Sequence, residues 1–364
     1  MSLVTVTSLS FSVRVTAMLT GGVHVRSVND HISFTGCQFW YNDALEDGGG
    51  VYARERNDYM SFTDCLFVSN FAVETGGGVY IRSDNYYASF QDCVFLTNYV
   101  YEGGGAVGLR SNNYMTWTRC SFLDNVGGFY GGAMYLVAYN RDFELRDCIF
   151  ERNLAHFYYG GALYVISLNR DLLVSNCRFI DNSAGQAGGA IFSSTFNSDL
   201  RLENSVFDSN TATIYGGTLY LGIDHNDFLI SNCSVVHSSA DIGGAFYIST
   251  FNENVVINSC LLFNNSAIEG GAVASFTHSM RIVFSTLSHN RAQSGGMGVF
   301  GSNLAEEGLL LFLNNTIANN HAEQDSGALR IKSFNHVYFE KCHILNNSAL
   351  GKVLFCFDIV FINQ

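Results

Sequence analysis

CSFLDNVGGFYGGAMYLVAYNRDFELRD, residues 120–147, decides the fold, because its pattern recurs about a dozen times along the chain. The general form is C-x-F-x-x-N-x-A, a short gap, then G-G-A-φ-Y-φ, with φ apolar. The cysteine column runs Cys37, Cys65, Cys93, Cys120, Cys148, Cys177, Cys233, Cys260 and Cys342, with Ser205, Ser285 and Asn315 at the intermediate positions. Steps stay between 25 and 30 residues. A fixed period of this size means a solenoid, in which each repeat covers the apolar face of the next.

Within the quoted stretch, Cys120 and Phe122 are two apart and share one strand face, read as the inward one. Asn125 closes that strand, in the column Asn42, Asn70, Asn98, Asn125, Asn153 and Asn182. An alanine column follows two positions later, for example Ala72, Ala155 and Ala184. The chain turns at Gly131-Gly132, after which Met134 and Leu136 face one way and Tyr135 the other. A second asparagine column, Asn29, Asn57, Asn85, Asn112, Asn140, Asn169, Asn197 and Asn252, precedes a third strand. Glycine marks one turn and asparagine two, being the residues that adopt left-handed backbone most readily. The expectation is an all-β, right-handed parallel β-helix of about 12 rungs of about 28 residues, three short strands per rung. It forms one domain over residues 1–364.

Composition agrees. The chain contains no proline, as ladders in which every interior N–H must donate require. The net charge of −13 and the absence of any Lys/Arg cluster exclude a nucleic-acid or anionic-membrane surface. Met1 to Thr20 makes a poor signal peptide, and no run of 18 apolar residues is present. Neither Gly21-Gly22-Val23 nor Val353 to Phe361 looks like a cap, so the solenoid is expected to continue beyond or stack at both ends, on identical subunits or flanking β-helix segments.

The pairing of G-G-A-φ with F-x-x-N resembles the repeat pair of the chlamydial polymorphic membrane proteins. The F-x-x-N half stands at Phe39–Asn42, Phe67–Asn70, Phe95–Asn98, Phe122–Asn125, Phe150–Asn153, Phe179–Asn182 and Phe207–Asn210; G-G-A begins at Gly104, Gly131, Gly160, Gly188, Gly243 and Gly270. The resemblance covers about residues 21–351. It implies a β-helical, autotransporter-passenger-like adhesin at the cell surface or outside the cell, with no catalytic residues to carry over. The family's C-terminal membrane barrel and secretion signal have no counterpart in this sequence.

Stacked cysteine side chains would point in parallel, leaving their Cβ atoms too far apart for disulfides, so the column is read as buried free thiols. No C-x-x-C or His spacing suits zinc, and no metal or cofactor is expected. A second column, Tyr52, Tyr80, Tyr135, Tyr164, Phe192, Tyr220 and Tyr247, interrupted at Gly108, lies opposite the inward apolar pairs. It is the candidate binding surface, exposed aromatics being able to stack on sugar rings or a neighbouring solenoid. Enzymatic readings are weaker. Asn197-Ser-Asp199 and Arg330-Ile-Lys332 echo polysaccharide-cleaving motifs but lie several rungs apart. Asp142, Asp171, Asp199 and Asp227 form one periodic column. His237 and His289 share an outward column and read as solvated surface histidines. Four N-x-S/T acceptors, Asn232, Asn264, Asn314 and Asn346, are candidate glycosylation sites. The expected function is a non-catalytic structural or adhesive module binding a glycan or a surface protein. The alternatives are a self-assembling filament subunit and a polysaccharide lyase or hydrolase.

Overall fold

A computed structural model describes the backbone of residues 4–7, 10–11, 21–302, 308–332, 336–350 and 355–357, and side chains in 21–302, 308–332 and 336–350. The chain forms two compact units, Met1–Gly185 and Gln186–Gln364. Of the stretches on which the open-ended expectation rests, Val353 to Phe361 lies largely outside the described residues.

Among the described residues every regular element is a strand, and every pair is parallel. In the first unit a single turn reads Ser61–Thr63, Leu66–Val68, Phe71–Ala72 and Val79–Ile81. The next turn repeats it at Ser89–Gln91, Val94–Leu96, Tyr99–Val100 and Val107–Leu109. Each strand pairs with its equivalent one turn later, as in Phe67↔Phe95 and Val79↔Val107. The chain is thus a right-handed parallel β-helix with the three expected strands per turn and, in addition, a two-residue fourth strand at the alanine column.

Identical residues stack. Phe39, Phe67, Phe95, Phe122, Phe150 and Phe179 are all fully buried, with ring centroids 4.5–4.8 Å apart and nearly parallel planes. A second stack runs Phe34, Phe62, Phe90, Trp117 and Phe143. The strand spacing places these rings at contact distance, so burial and offset stacking act together.

The asparagine columns are buried and share side-chain amide hydrogen bonds from turn to turn, as their stacking implies, but they are not themselves the left-handed residues of the turns. The left-handed turn residue is the one before each asparagine: Ser69 (φ 50), Thr97 (φ 51) and Asp124 (φ 53) precede Asn70, Asn98 and Asn125. The asparagines point inward and are buried. Asn70 donates its backbone N–H (3.0 Å) and Nδ2 (2.9 Å) to Oδ1 of Asn98, and Nδ2 also to the carbonyl of Phe39 (2.8 Å). Asn98 repeats this towards Asn125 and Phe67, and Asn125 towards Asn153 and Phe95. Aspartate lacks the two amide donors and alanine has neither donor nor acceptor, so neither could reproduce this set of bonds between turns. The glycine turn is as expected. Gly76 is left-handed (φ 67), and a Cβ on Gly77 would lie 2.4 Å from the carbonyl oxygen of Gly105.

The second unit keeps the winding with Ile191–Thr195, Leu219–Ile223, Phe246–Ile248 and Val273–Ser275 along one sheet. Its columns are mixed. The phenylalanine position becomes Val235, Leu262, Leu287 and Ile317, all buried, and the second asparagine column admits His225.

Candidate functional site

The aromatic column falls where parity placed it, opposite the core pairs, but it is not an open surface. Tyr52, Tyr80, Tyr164 and Phe192 are only 5–8% exposed, and Tyr135, Tyr220 and Tyr247 are partly buried. The segment before the glycine turn lies over them. In the first unit Tyr130 stacks on Tyr135 (5.9 Å) and Tyr164 (5.1 Å). In the second, Tyr215 covers Tyr247 at 4.7 Å. The rings also stack on one another, as in Tyr52–Tyr80 (5.7 Å), Tyr135–Tyr164 (5.4 Å), Phe192–Tyr220 (4.4 Å) and Tyr220–Tyr247 (5.1 Å). Their faces are therefore taken. Strand parity tells which face a residue is on, not what loop covers that face.

Three of these tyrosines nevertheless border a concave site. A groove of about 390 Å³ in the first unit is lined by Glu46, Asp47, Glu74, Thr75, Glu102, Arg82 and Arg110, together with Tyr52, Tyr80 and Tyr135. Its charged residues come in columns. Glu46, Glu74 and Glu102 stand one turn apart, and an arginine follows each by eight residues: Arg54, Arg82 and Arg110. The intervening glycine turn folds each glutamate back towards the arginine column. This recurring E-x7-R spacing was the signal that sequence reasoning missed.

Burial, reinforced by the Glu74 carboxylate and partly offset by a hydrogen bond from Thr75, raises the Asp47 carboxyl to about 6. Burial and then Glu74 also raise Glu102. Burial, followed by Asp47, pushes the Tyr80 phenol up, so it remains a neutral donor. Arg82 Nη1 donates to the Tyr52 hydroxyl at 3.4 Å. The groove thus offers carboxylate acceptors, guanidinium donors and phenolic hydroxyls in one predominantly polar lining. Four carboxylates against two guanidiniums leave it electronegative.

A truly exposed aromatic row lies elsewhere, at a turn of the first unit. His31, Tyr59, Tyr87 and Tyr114 stack at 4.8, 5.0 and 4.7 Å, with the three tyrosines 44–49% exposed. All four adopt left-handed backbone, and the same turn position then carries Asp142 and Asp171. Burial and the neighbouring Asp171 raise the Asp142 carboxyl.

The cysteines Cys37, Cys65, Cys93, Cys120, Cys148 and Cys177 are buried thiols not joined by disulfides. Hydrogen bonding between neighbouring thiols, then burial, pushes Cys65, Cys120 and Cys177 up, which keeps them as protonated core groups. Each thiol is tied to carbonyls, as Cys93 is to Phe62 (3.4 Å) and Gln91 (3.3 Å). Among the described residues no cluster of three or more His, Cys, Asp or Glu is arranged to hold a metal ion. Among the same described residues no helix is long and apolar enough to cross a membrane. Asn232, Asn264 and Asn346 are exposed and Asn314 half-buried, each in left-handed turn geometry.

Residues 21–207, just over half of the chain, match the model of the right-handed beta helix region family, and the chain belongs to that family. A search of curated proteins finds no match. Among solved structures the chain is similar to PfbA, a surface adhesin of Streptococcus pneumoniae, at 11% identity over 89% of this chain and 83% of that one, TM-score 0.47. It is also similar to the periplasmic alginate epimerase AlgG (9% identity, 90% and 76% coverage, TM-score 0.46). A third is a mannuronic acid specific polysaccharide family 6 lyase from human gut microbiota (10%, 90% and 76%, 0.35). Likeness at this distance carries no information about chemistry.

Proposed function

We propose that the chain is a non-catalytic glycan-binding β-helix module, extracellular or at a cell surface, that holds its ligand in the groove of the first unit. The passenger-like role implied by the resemblance to chlamydial polymorphic membrane proteins fits this reading. The observation that carries it is the convergence of Glu46, Glu74, Glu102, Arg82 and Arg110 with Tyr52, Tyr80 and Tyr135 around one groove. Alternating acceptors and donors match the vicinal hydroxyls of a sugar, and the tyrosine edges add phenolic hydroxyls to the same set. The excess of carboxylates favours neutral or amino sugars and repels polyuronates.

A glycan array followed by titration calorimetry tests this. Neutral or amino oligosaccharides are expected to bind, with binding weakened about tenfold or more by Glu74→Gln together with Arg110→Ala. Unchanged binding in that variant would overturn the reading.

One observation favours a second reading. The Asp47 carboxyl, raised to about 6 by burial and then by Glu74, holds its proton well above the ordinary carboxylate range, a tuning that glycoside hydrolysis uses for its acid. Cleavage of a bound oligosaccharide, abolished by Asp47→Asn, would establish that alternative.

A further inference from the structure

The second unit holds a cavity of about 540 Å³ lined by Phe263, Asn264, His289, Arg291, Asn319 and His321. It is built on the turn of the inward asparagine column. Asn264, His289 and Asn319 occupy the left-handed position before Asn265, Asn290 and Asn320, and Arg291 and His321 immediately follow. The buried asparagines lock this turn. Asn265 donates its backbone N–H (3.0 Å) and Nδ2 (3.1 Å) to Asn290 Oδ1, and Asn290 does the same to Asn320 at 2.9 and 2.9 Å. Residues on either side are thereby held at one-turn spacing and project to the surface together.

The chemistry is unusual for so acidic a chain. No carboxylate lines the cavity. Among the described residues the Arg291 guanidinium has no hydrogen bond and no ion pair. At the same turn of the first unit, by contrast, Arg152 is paired with Asp124 at 2.8 Å. The imidazole of His289 lies against the Phe263 ring at 5.0 Å. His321 Nδ1 is engaged by the Ser348 hydroxyl at 2.9 Å, which aims Nε2 away from that partner. Phe263 is also met edge-on by His237, itself paired with Asp208 at 3.0 Å. His237 and His289, expected as separate solvated histidines, are joined through this ring.

We propose that this cavity binds an anionic saccharide residue. Arg291 takes the carboxylate or sulfate in a forked pair of hydrogen bonds, a geometry suited to planar or tetrahedral oxyanions. The imidazoles of His289 and His321 and the amides of Asn264 and Asn319 address the ring hydroxyls, and Phe263 forms the apolar wall. The volume lies within the range of small-ligand sites and accommodates one or two sugar units. The charge selectivity is opposite to that of the first unit's groove, and the proposal stands independently of that groove.

The test is titration calorimetry of the full chain with an oligouronate, a sulfated oligosaccharide of equal length, its neutral counterpart and sodium sulfate. The expected result is binding of one or both anionic oligosaccharides, with the two arms distinguishing carboxylate from sulfate recognition. Arg291→Gln should weaken that binding at least tenfold, and Arg291→Lys, which keeps the charge but not the fork, by less. Both variants should melt at the wild-type temperature, and Glu74→Gln should leave this binding unchanged. Binding of the neutral oligosaccharide that Arg291→Gln weakens as much as it weakens anionic binding, binding of sulfate alone, or anionic binding unaffected by Arg291→Gln would each overturn the proposal.

Discussion

The two units solve the same winding problem with different degrees of uniformity. In the first, the inward positions repeat one residue type for turn after turn: phenylalanine stacked on phenylalanine, asparagine bonded to asparagine, cysteine over cysteine. In the second, the same positions carry Val235, Leu262 and Leu287, the cysteine column admits Ser205 and Ser285, and His225 stands in for an asparagine. The hydrogen-bond pattern survives these changes. The N–H of Cys260 is accepted by Ser285 Oγ at 3.0 Å much as that of Cys148 is by Cys177 Sγ at 3.4 Å. The bonding geometry of a column is thus the constraint, and residue identity is free wherever a substitute can make the same bonds. Surface positions beside the columns are freer still, and both candidate sites lie there.

Breaking the aromatic stack should have the largest effect. Phe95→Ala removes a ring packed between Phe67 and Phe122, and is expected to cost about 3–5 kcal/mol in urea unfolding. Leu262→Ala, at the equivalent position of the second unit, should cost less, since no ring pair worth about 0.5–1.5 kcal/mol each is lost with it. Equal costs would show that the stacks add nothing beyond burial.

His225 makes the second unit sensitive to acid. Burial lowers its pKa from 6.5 to about 4. Its Nδ1 accepts the Asn197 N–H at 3.1 Å, which requires the neutral ring. The unfolded chain binds this proton first, so stability should fall by about 3 kcal/mol as pH drops from 6.5 towards 4, then level off. His225→Asn restores the column residue and should remove that part of the acid loss, seen as a flatter melting temperature against pH.

Asn98→Ala strands the backbone N–H of Asn70 and is expected to cost about 2 kcal/mol. Asn98→Asp should be little better, because the acid cannot donate to Asn125 and Phe67. Rescue by aspartate in urea unfolding would refute the two-donor account of the column.

The smallest effect concerns the groove. Asp47 is raised from 3.8 to about 6 by burial and then Glu74, so the folded state holds this proton more tightly and stability declines as pH rises between those values. Asp47→Asn should therefore stabilise the chain at pH 7 by about 1 kcal/mol, after discounting for solvent screening, and by nothing near pH 3.5. Stabilisation of the same size at both pH values would remove the electrostatic cause.

Much of this fold was legible because a solenoid writes its columns directly into the period. The buried phenylalanines, the inward asparagines and the left-handed first glycine all followed from spacing. The sites were less legible for physical reasons. Parity placed Tyr135 and Tyr164 on the outer face, but Tyr130 covers them through a loop whose path the period does not encode. The stacked Tyr59, Tyr87 and Tyr114 went unnoticed because that column switches to aspartate at Asp142. The Glu46/Arg54, Glu74/Arg82 and Glu102/Arg110 pairs recur in only three turns, and Arg291 stands out only when its lack of a carboxylate partner is seen in three dimensions.

The most direct test of a non-catalytic binding module is native mass spectrometry of the full chain incubated with neutral, amino and uronate oligosaccharides. The account predicts complexes in which every oligosaccharide keeps its mass through prolonged incubation. Shortened or unsaturated products that disappear with Asp47→Asn would contradict it and make the chain an enzyme.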